Sequence, residues 1–497
     1  EDGHTPFFIA VKKGNVAIVR AIVKHGAEGK RETRRKDKEG NTPLHIAAEC
    51  RDLILLKHVI SRTEDENHQH SKNSANDLSA LHLAAQEGYL EACQFIINRS
   101  LYKGEKDRHR RTPIDYAAIF GNLEVCRFLL QNLDDFPMGD LKIPLLAAPH
   151  YGHTEIFKLF FKHRKNKNLP LNPPNSSDDE TPLHKAAGNG NFEICKLLIE
   201  NVENKSPRSS IGYTPLHESA DNGNVEIFKL IFDNVQEKEP EDNKGQTPLH
   251  HAAECGNLEV CQLLIGESVR KDPMDNKGRR PFHLVAKHGH LEVCKLLIGE
   301  SENKIPRDNK GWTPMHCAAQ NGHLTTVKYL LEKSEETNPR DNSGNSPLHC
   351  AARCGRFDVC KYMMETIEEK SPRNDNDESP FHVAAGWGHL KLCKYMMNST
   401  VYQTPQNNQN VTTPFHYAVY YGHLDLCKLF MENLEDKSPK NEHGMTPLHF
   451  AAERGFLDIC KYIMERSDDK SPVDDDGDMP FHLAVQNGHF HICDYII

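Results

Sequence analysis

A four-residue motif recurs through this chain of 497 residues, and its spacing restricts the fold more than any other feature. It reads TPLH at 42, 181, 214, 247 and 446, TPMH at 313, SPLH at 346, SPFH at 379, TPFH at 413, MPFH at 479 and RPFH at 280. Weaker copies are TPFF at 5, SALH at 79, TPID at 112 and IPLL at 143, which makes fifteen units. From 181 onward each copy follows the last by 33 residues, apart from one step of 34, and the early steps run from 31 to 38. A fixed period of this length means one supersecondary unit used many times, each contacting only its neighbours.

Each unit reads as helix, turn, helix and a turned loop. Thr can cap a helix and Pro suits its first turn. The short LHxAAxx helix that follows stops at Gly, as at Gly322, where a left-handed cap is expected. Residues such as 323-HLTTVKYLL-331 then restart an amphipathic helix with apolar side chains at helical spacing. A polar, Pro-containing segment ends in DNKG or a relative of it, an Asp-to-Gly turn signal. Neither helix can bury its apolar face alone, so stacking must supply the core.

This pattern resembles the ankyrin repeat, and the resemblance covers essentially the whole chain. TPLHxAAxxGH at a 33-residue period is the signature of that family. The implied fold is an all-α repeat solenoid, a curved superhelix of about 15 stacked helix-turn-helix units. One departure is consistent: polar segments such as 203-ENKSPR-208 and 368-EEKSPR-373 follow the second helix, so the hairpin arm is expected to differ in shape from the family norm.

Residues 1–130 read as repeats one to four, and 181–497 as repeats six to fifteen with the last truncated. Between them, 131–180 holds a degenerate fifth repeat and the Pro-rich linker 168-NLPLNPPNSSDDE-180, a candidate hinge. Asp115 and Leu146 stand where His is expected, and Pro149 is expected to disrupt the last turn of its helix. Both ends read as cut within a unit, which suggests an excerpt of a longer protein.

The chain has 30 His and 15 Cys, so a metal centre or a catalytic His/Cys pair has to be weighed. Twelve of the His fill the fourth motif position: His45, His82, His184, His217, His250, His283, His316, His349, His382, His416, His449 and His482. A catalytic residue is usually singular, and the resemblance implies that this His ties its unit to its neighbours by hydrogen bonds. Six more His follow the helix-ending Gly. Ten Cys, from Cys93 to Cys493, sit eleven residues after the motif His position, where other units carry Val, Phe or Leu, which marks a small buried apolar site. Equivalent residues of stacked units lie roughly 8–10 Å apart, beyond the ~7 Å reach of a disulfide. Free thiols fit a reducing compartment, and an intracellular, cytoplasmic location is expected. Cys350, Cys354, Cys360 and His349 are the best zinc candidates, but they lack the tight CxxC pairs of zinc modules, and no metal or cofactor is expected.

No phosphate-binding loop, HExxH, GxSxG or dinucleotide fingerprint is present, so no enzymatic role is expected. A net charge of −10, with the acid excess after residue 180, argues against a nucleic-acid partner. No apolar run is long enough to span a bilayer. Glycosylation sequons at Asn98, Asn175, Asn398 and Asn410 are expected to be unused, and the Ser-Pro pairs at Ser206, Ser371, Ser438 and Ser471 read as spacers in which Pro stops a helix.

The resemblance implies partner proteins bound on the concave side, through the residue after the hairpin Gly and the two residues after the Ala-Ala pair. These rows contain Arg279, Trp312, Arg353, Trp387, Tyr420 and Tyr421, including both tryptophans of the chain. Trp, Tyr and Arg dominate binding hot spots, and a framework role would more often leave Trp in the core. Ile119 and Phe120 form a second candidate site. The expected function is a non-enzymatic protein-interaction scaffold; the alternative is the cytosolic ankyrin region of a membrane protein, such as a transient receptor potential-type channel or a membrane-cytoskeleton adaptor.

Overall fold

The computed structural model describes residues 6–24, 36–37, 40–60, 72–73, 76–99, 106–132, 141–167, 169–174, 178–267, 270, 272–300, 304–399 and 412–497. Parts of the basic stretch at 30–38, the sequons at Asn175 and Asn410, and residues 133–140, 168 and 175–177 of the candidate hinge lie outside the described residues. The described residues form 30 helices and no strand, in consecutive pairs, as an all-α repeat solenoid requires. The pairs gather into two compact bodies, Glu1–Asn243 and Lys244–Ile497. Within each body, first helices pack on first helices of the adjacent unit and second helices on second helices.

Unit ten shows how the sequence builds the pair. Thr313 is extended at φ −101° and ψ 166°, Pro314 opens the first helix (Pro314–Asn321), and Gly322 ends it in the left-handed region at φ +83°. The second helix is Leu324–Lys333. Met315, Ala318 and Ala319 of the first helix and Val327, Leu330 and Leu331 of the second are buried. The paired alanines let first helices of neighbouring units approach closely. Burying each larger apolar side chain contributes about 1.5–3 kcal/mol, and helices this short do not persist in isolation.

The motif His closes the helix start and reaches into the next unit. Nδ1 of His316 lies 3.1 Å from the backbone N of Thr313 and 2.9 Å from its Oγ1. Nε2 lies 3.0 Å from the carbonyl of Asn345, 29 residues on. A backbone N–H can only donate and a carbonyl can only accept, so Nδ1 is the acceptor and the proton sits on Nε2. The same forward bond runs from His45 to Leu78, His184 to Tyr213, His250 to Arg279, His349 to Glu378 and His449 to Asp478, at 2.8–3.1 Å. Burial holds His250, His316, His349 and His416 far below the ordinary value, at about 4, and lowers His184, His283 and His449.

A second ladder runs backward. Nε2 of His323 donates to the carbonyl of Lys287 at 2.9 Å, and His290, His389, His423 and His489 do the same to Glu254, Arg353, Gly386 and Glu453 at 2.9–3.0 Å. These carbonyls belong to the last turn of the preceding first helix, where the helix has no donor of its own. The ladder explains the glycine beside each ring. At Gly289, φ is +78° and an added Cβ would lie 2.4 Å from Nδ1 of His323.

The degenerate units keep the scheme with changed parts. Oδ2 of Asp115 accepts from the backbone N of Thr112 at 2.6 Å and from its hydroxyl at 2.8 Å, so the cap of unit four survives the loss of His. The helix of unit five, Lys142–His150, runs through Pro149, contrary to the expected disruption. Pro149 sits one residue from the helix end, lacks only the N–H that would reach back to Leu145, and its own carbonyl accepts from the Asn191 side chain of the next unit. In the hairpins, Oδ1 of Asp308 accepts from the backbone of Lys310 and Trp312 at 2.8 and 2.9 Å. One backbone bond per step joins successive hairpins, as from Asn342 to the carbonyl of Lys310 at 3.0 Å.

Two outcomes follow from the ladders. Gly289→Ala is expected to cost about 2–3 kcal/mol, from the left-handed backbone and the displaced His323 ring. Gly299→Ala, at a helical glycine with open space around it, is expected to be neutral or stabilising by about 0.5–1 kcal/mol; urea unfolding of both variants measures this. For the buried imidazoles the folded value lies below the unfolded value of about 6.5. The unfolded chain therefore takes up protons first as pH falls, and stability is complete above about pH 6.5 and lost between there and about pH 4. Each such ring contributes a slope of up to about 1.4 kcal/mol per pH unit. Urea midpoints should fall steeply from pH 7 to pH 5, above the carboxylate range, and a flat profile there would count against neutral rings.

Candidate protein-binding face

The residues that follow the small pair in each unit sit at the end of the first helix, where the chain turns back toward the second. Their side chains point away from the packed pair, because the two residues before them already fill the core. In units four, five, twelve and thirteen the second of these positions is occupied by Phe120, Tyr151, Trp387 and Tyr421, exposed by 53, 54, 61 and 55% respectively. Large aromatics this open are not serving the core of their own units.

Tyr421 of unit thirteen, with Tyr420 beside it, lies against the helix end of unit twelve that carries Trp387. Trp387 caps the helix Pro380–Gly386, and Tyr421 caps the helix Pro414–Tyr420. The Tyr421 ring lies across Gly386, the residue before Trp387, where an added Cβ would meet it at 3.3 Å. Tyr420 meets Tyr421 edge to face at 5.0 Å between centroids. On its far side Tyr420 meets Phe450 at 6.0 Å, and the guanidinium of Arg454 sits 4.5 Å over its ring. Arg353, one unit before Trp387, is half-buried, and its carbonyl is held by His389.

Arg279 and Trp312 belong to hairpins, and each is bound there. Arg279 holds Asp275 through Nε at 2.8 Å and Nη2 at 2.7 Å. Trp312 is half-buried, stacks on His316 at 6.0 Å and donates from Nε1 to Asp341 at 3.1 Å. The structure therefore separates the six sequence candidates into an aromatic cluster with Arg353 nearby and two hairpin residues tied into the framework. Of the second candidate site, Phe120 is open, while the carbonyl of Ile119 accepts from His153 at 3.1 Å. Sequence reading did not single out Arg454. Its signal was its register, since it occupies in unit fourteen the position of Tyr421 in unit thirteen.

The thiols of the second-helix ladder have no comparable opening. Cys195, Cys261, Cys294, Cys393, Cys427 and Cys460 are buried, and desolvation pushes each thiol up to about 12, so they stay protonated and unreactive. Both ring nitrogens of His349 are already bonded, to Ser346 at 3.1 Å and to Glu378 at 2.9 Å, which removes it as a ligand for the nearby cysteines. Among the described residues no three His, Cys, Asp or Glu side chains are placed to hold a metal ion. No helix among them is long and apolar enough to cross a membrane.

The model of the family described as Ankyrin repeats (3 copies) matches residues 1–70, 52–138, 144–242, 229–308, 282–374, 365–441 and 433–497. The chain belongs to the ankyrin-repeat family. It is also similar to the probable 26S proteasome regulatory subunit p28 of Saccharomyces cerevisiae, with 31% identity over 105 residues. That match covers 20% of this ankyrin-repeat chain and 43% of the yeast protein. The chain thus meets less than half the length of that relative. Ankyrin repeats are protein-interaction modules in general, and the two histidine ladders with the exposed row between the helices are the form that the module takes here.

Proposed function

We propose that this ankyrin-repeat chain is a non-enzymatic scaffold that binds partner proteins, with its principal contact face on units eleven to fourteen. The observation that carries this reading is the pair Trp387 and Tyr421, exposed by 61 and 55% at one register position of adjacent units. Their helices are already capped and packed, so the rings are free to bury area against a partner at little ordering cost. Arg353 and Tyr420 flank them. Arg279 and Trp312 belong to a separate hairpin edge and contribute through the parts that their framework bonds leave open. On the family pattern this face is the concave side, the location is intracellular and no cofactor is needed. The yeast relative is named as a regulatory subunit of a large assembly, and a role inside a multiprotein complex is in keeping with this reading.

The test is affinity capture from native cell extract with the whole chain and with the Trp387→Ala/Tyr421→Ala double variant. Removing two buried aromatic anchors costs about 2 kcal/mol or more in affinity, roughly a 30-fold loss. A partner retained by the native chain and lost by the variant, with unchanged far-ultraviolet circular dichroism, is the expected result. A partner retained equally by both would remove these units as the contact face.

A further inference from the structure

We infer that the partner segment on this face is an extended peptide with acidic side chains near both ends and apolar side chains between them. This rests on the reading of units eleven to fourteen as the contact face and adds the chemistry of what lies there.

The argument begins with how the body 244–497 treats its arginines. Arg279, Arg280, Arg307, Arg340, Arg373 and Arg466 each hold a carboxylate, at 2.5–3.2 Å. Arg356 spends its Nε on the carbonyl of Gln320 at 2.9 Å. The framework therefore neutralises guanidinium groups as a rule. Arg353, Arg356 and Arg454 depart from it, since none of them has a carboxylate within ion-pair distance among the described residues; the Arg356 side chain is tied down by its carbonyl bond, whereas those of Arg353 and Arg454 make no hydrogen bond. Arg454 instead rests on the Tyr420 ring at 4.5 Å, which fixes its position without cancelling its charge.

Arg353 and Arg454 bracket the exposed aromatics. In unit order the face reads Arg353 in unit eleven, Trp387 in unit twelve, Tyr421 in unit thirteen and Arg454 in unit fourteen, with Arg353 at the first row position and the other three at the second. Packed helices are spaced by about 10 Å, so three unit steps separate the arginines by roughly 30 Å. An extended peptide advances about 3.3 Å per residue, so about nine residues bridge them. The chain as a whole is acidic, at −10. A positive pair at the rim of an apolar strip is therefore a local exception, and it selects an acidic segment over a basic one by charge complementarity. A single bound aspartate or a compact anion would meet one arginine and leave the aromatics open, whereas an extended segment engages all four side chains.

The probe is a fluorescein-labelled synthetic peptide with an aspartate pair at each end and three Pro-Leu-Ser triplets between, which is extended in the polyproline manner. Its control carries asparagine pairs in place of the aspartates. Binding to the native chain is followed by fluorescence anisotropy at low and high salt. The expected result is measurable binding of the aspartate peptide, weakened about tenfold or more in the asparagine control, by added salt, and by the Arg353→Glu/Arg454→Glu double variant. Single Arg353→Gln and Arg454→Gln variants, which leave the fold least disturbed, are expected to show intermediate losses. Equal binding of the two peptides, no binding of either, or binding indifferent to the arginine changes would each overturn the inference. If any of these appears while a cellular partner still depends on Trp387 and Tyr421, the contact face stands and the acidic-segment chemistry falls. If the cellular partner is also indifferent to Trp387 and Tyr421, the contact face falls too.

Discussion

A buried imidazole that accepts at one nitrogen and donates at the other is the interaction on which this stack depends. The ring spends Nδ1 on its own helix start, where Thr313 would otherwise present an unsatisfied N–H, and Nε2 on the hairpin of the next unit. A buried polar group of either unit would be costly without it. Helix capping and stacking between units are thus one interaction, repeated along the chain. It works in this form while the ring is neutral, because a proton on Nδ1 removes the acceptor that the Thr313 N–H needs.

With the forward bonds on one side and the backward bonds of His290, His323, His389, His423 and His489 on the other, the first helices of units eight, nine, eleven, twelve and fourteen are held at both ends. Position at the helix end is then set by backbone and histidine, not by the side chains that follow the small pair. Those side chains are released from structural duty, which is why the same register can carry Cys255, His288, Trp387, Tyr421 or Arg454 without altering the fold. Rigidity in the ladders and variety in the row are two consequences of one arrangement, and the proposed recognition draws on that variety.

The repeat and the helix pair were legible in the sequence, because each follows from recurrence and from the residues that start and stop helices; the hydrogen-bonding role of the motif histidines came from the family resemblance. Pro149 was placed correctly in the last turn, but its cost was overread: only one backbone bond is lost there, and the Asn191 side chain that takes up its carbonyl comes from the next unit. The glycines were read as caps, yet Gly289 is also required by the His323 ring of another unit, a contact that exists once the units stack. The aromatic row was legible as composition. That Trp312 is stacked and bonded while Trp387 stands open was not, since the difference depends on whether His316 and Asp341 lie within reach. Arg454 was visible in its register, but its place over Tyr420 follows from the packing of units thirteen and fourteen.

The central claim is that the buried, forward-bonded motif imidazoles, such as those of His250, His316, His349 and His416, are neutral and protonated on Nε2. A long-range nitrogen–proton correlation spectrum of the chain, labelled with 15N in its histidine rings and recorded from pH 7 down to pH 5, tests it directly. The account predicts a set of rings with the proton on Nε2, an unprotonated Nδ1, and no titration across that range. Titration of these buried rings near the ordinary value of about 6.5, or a proton on their Nδ1, would contradict it.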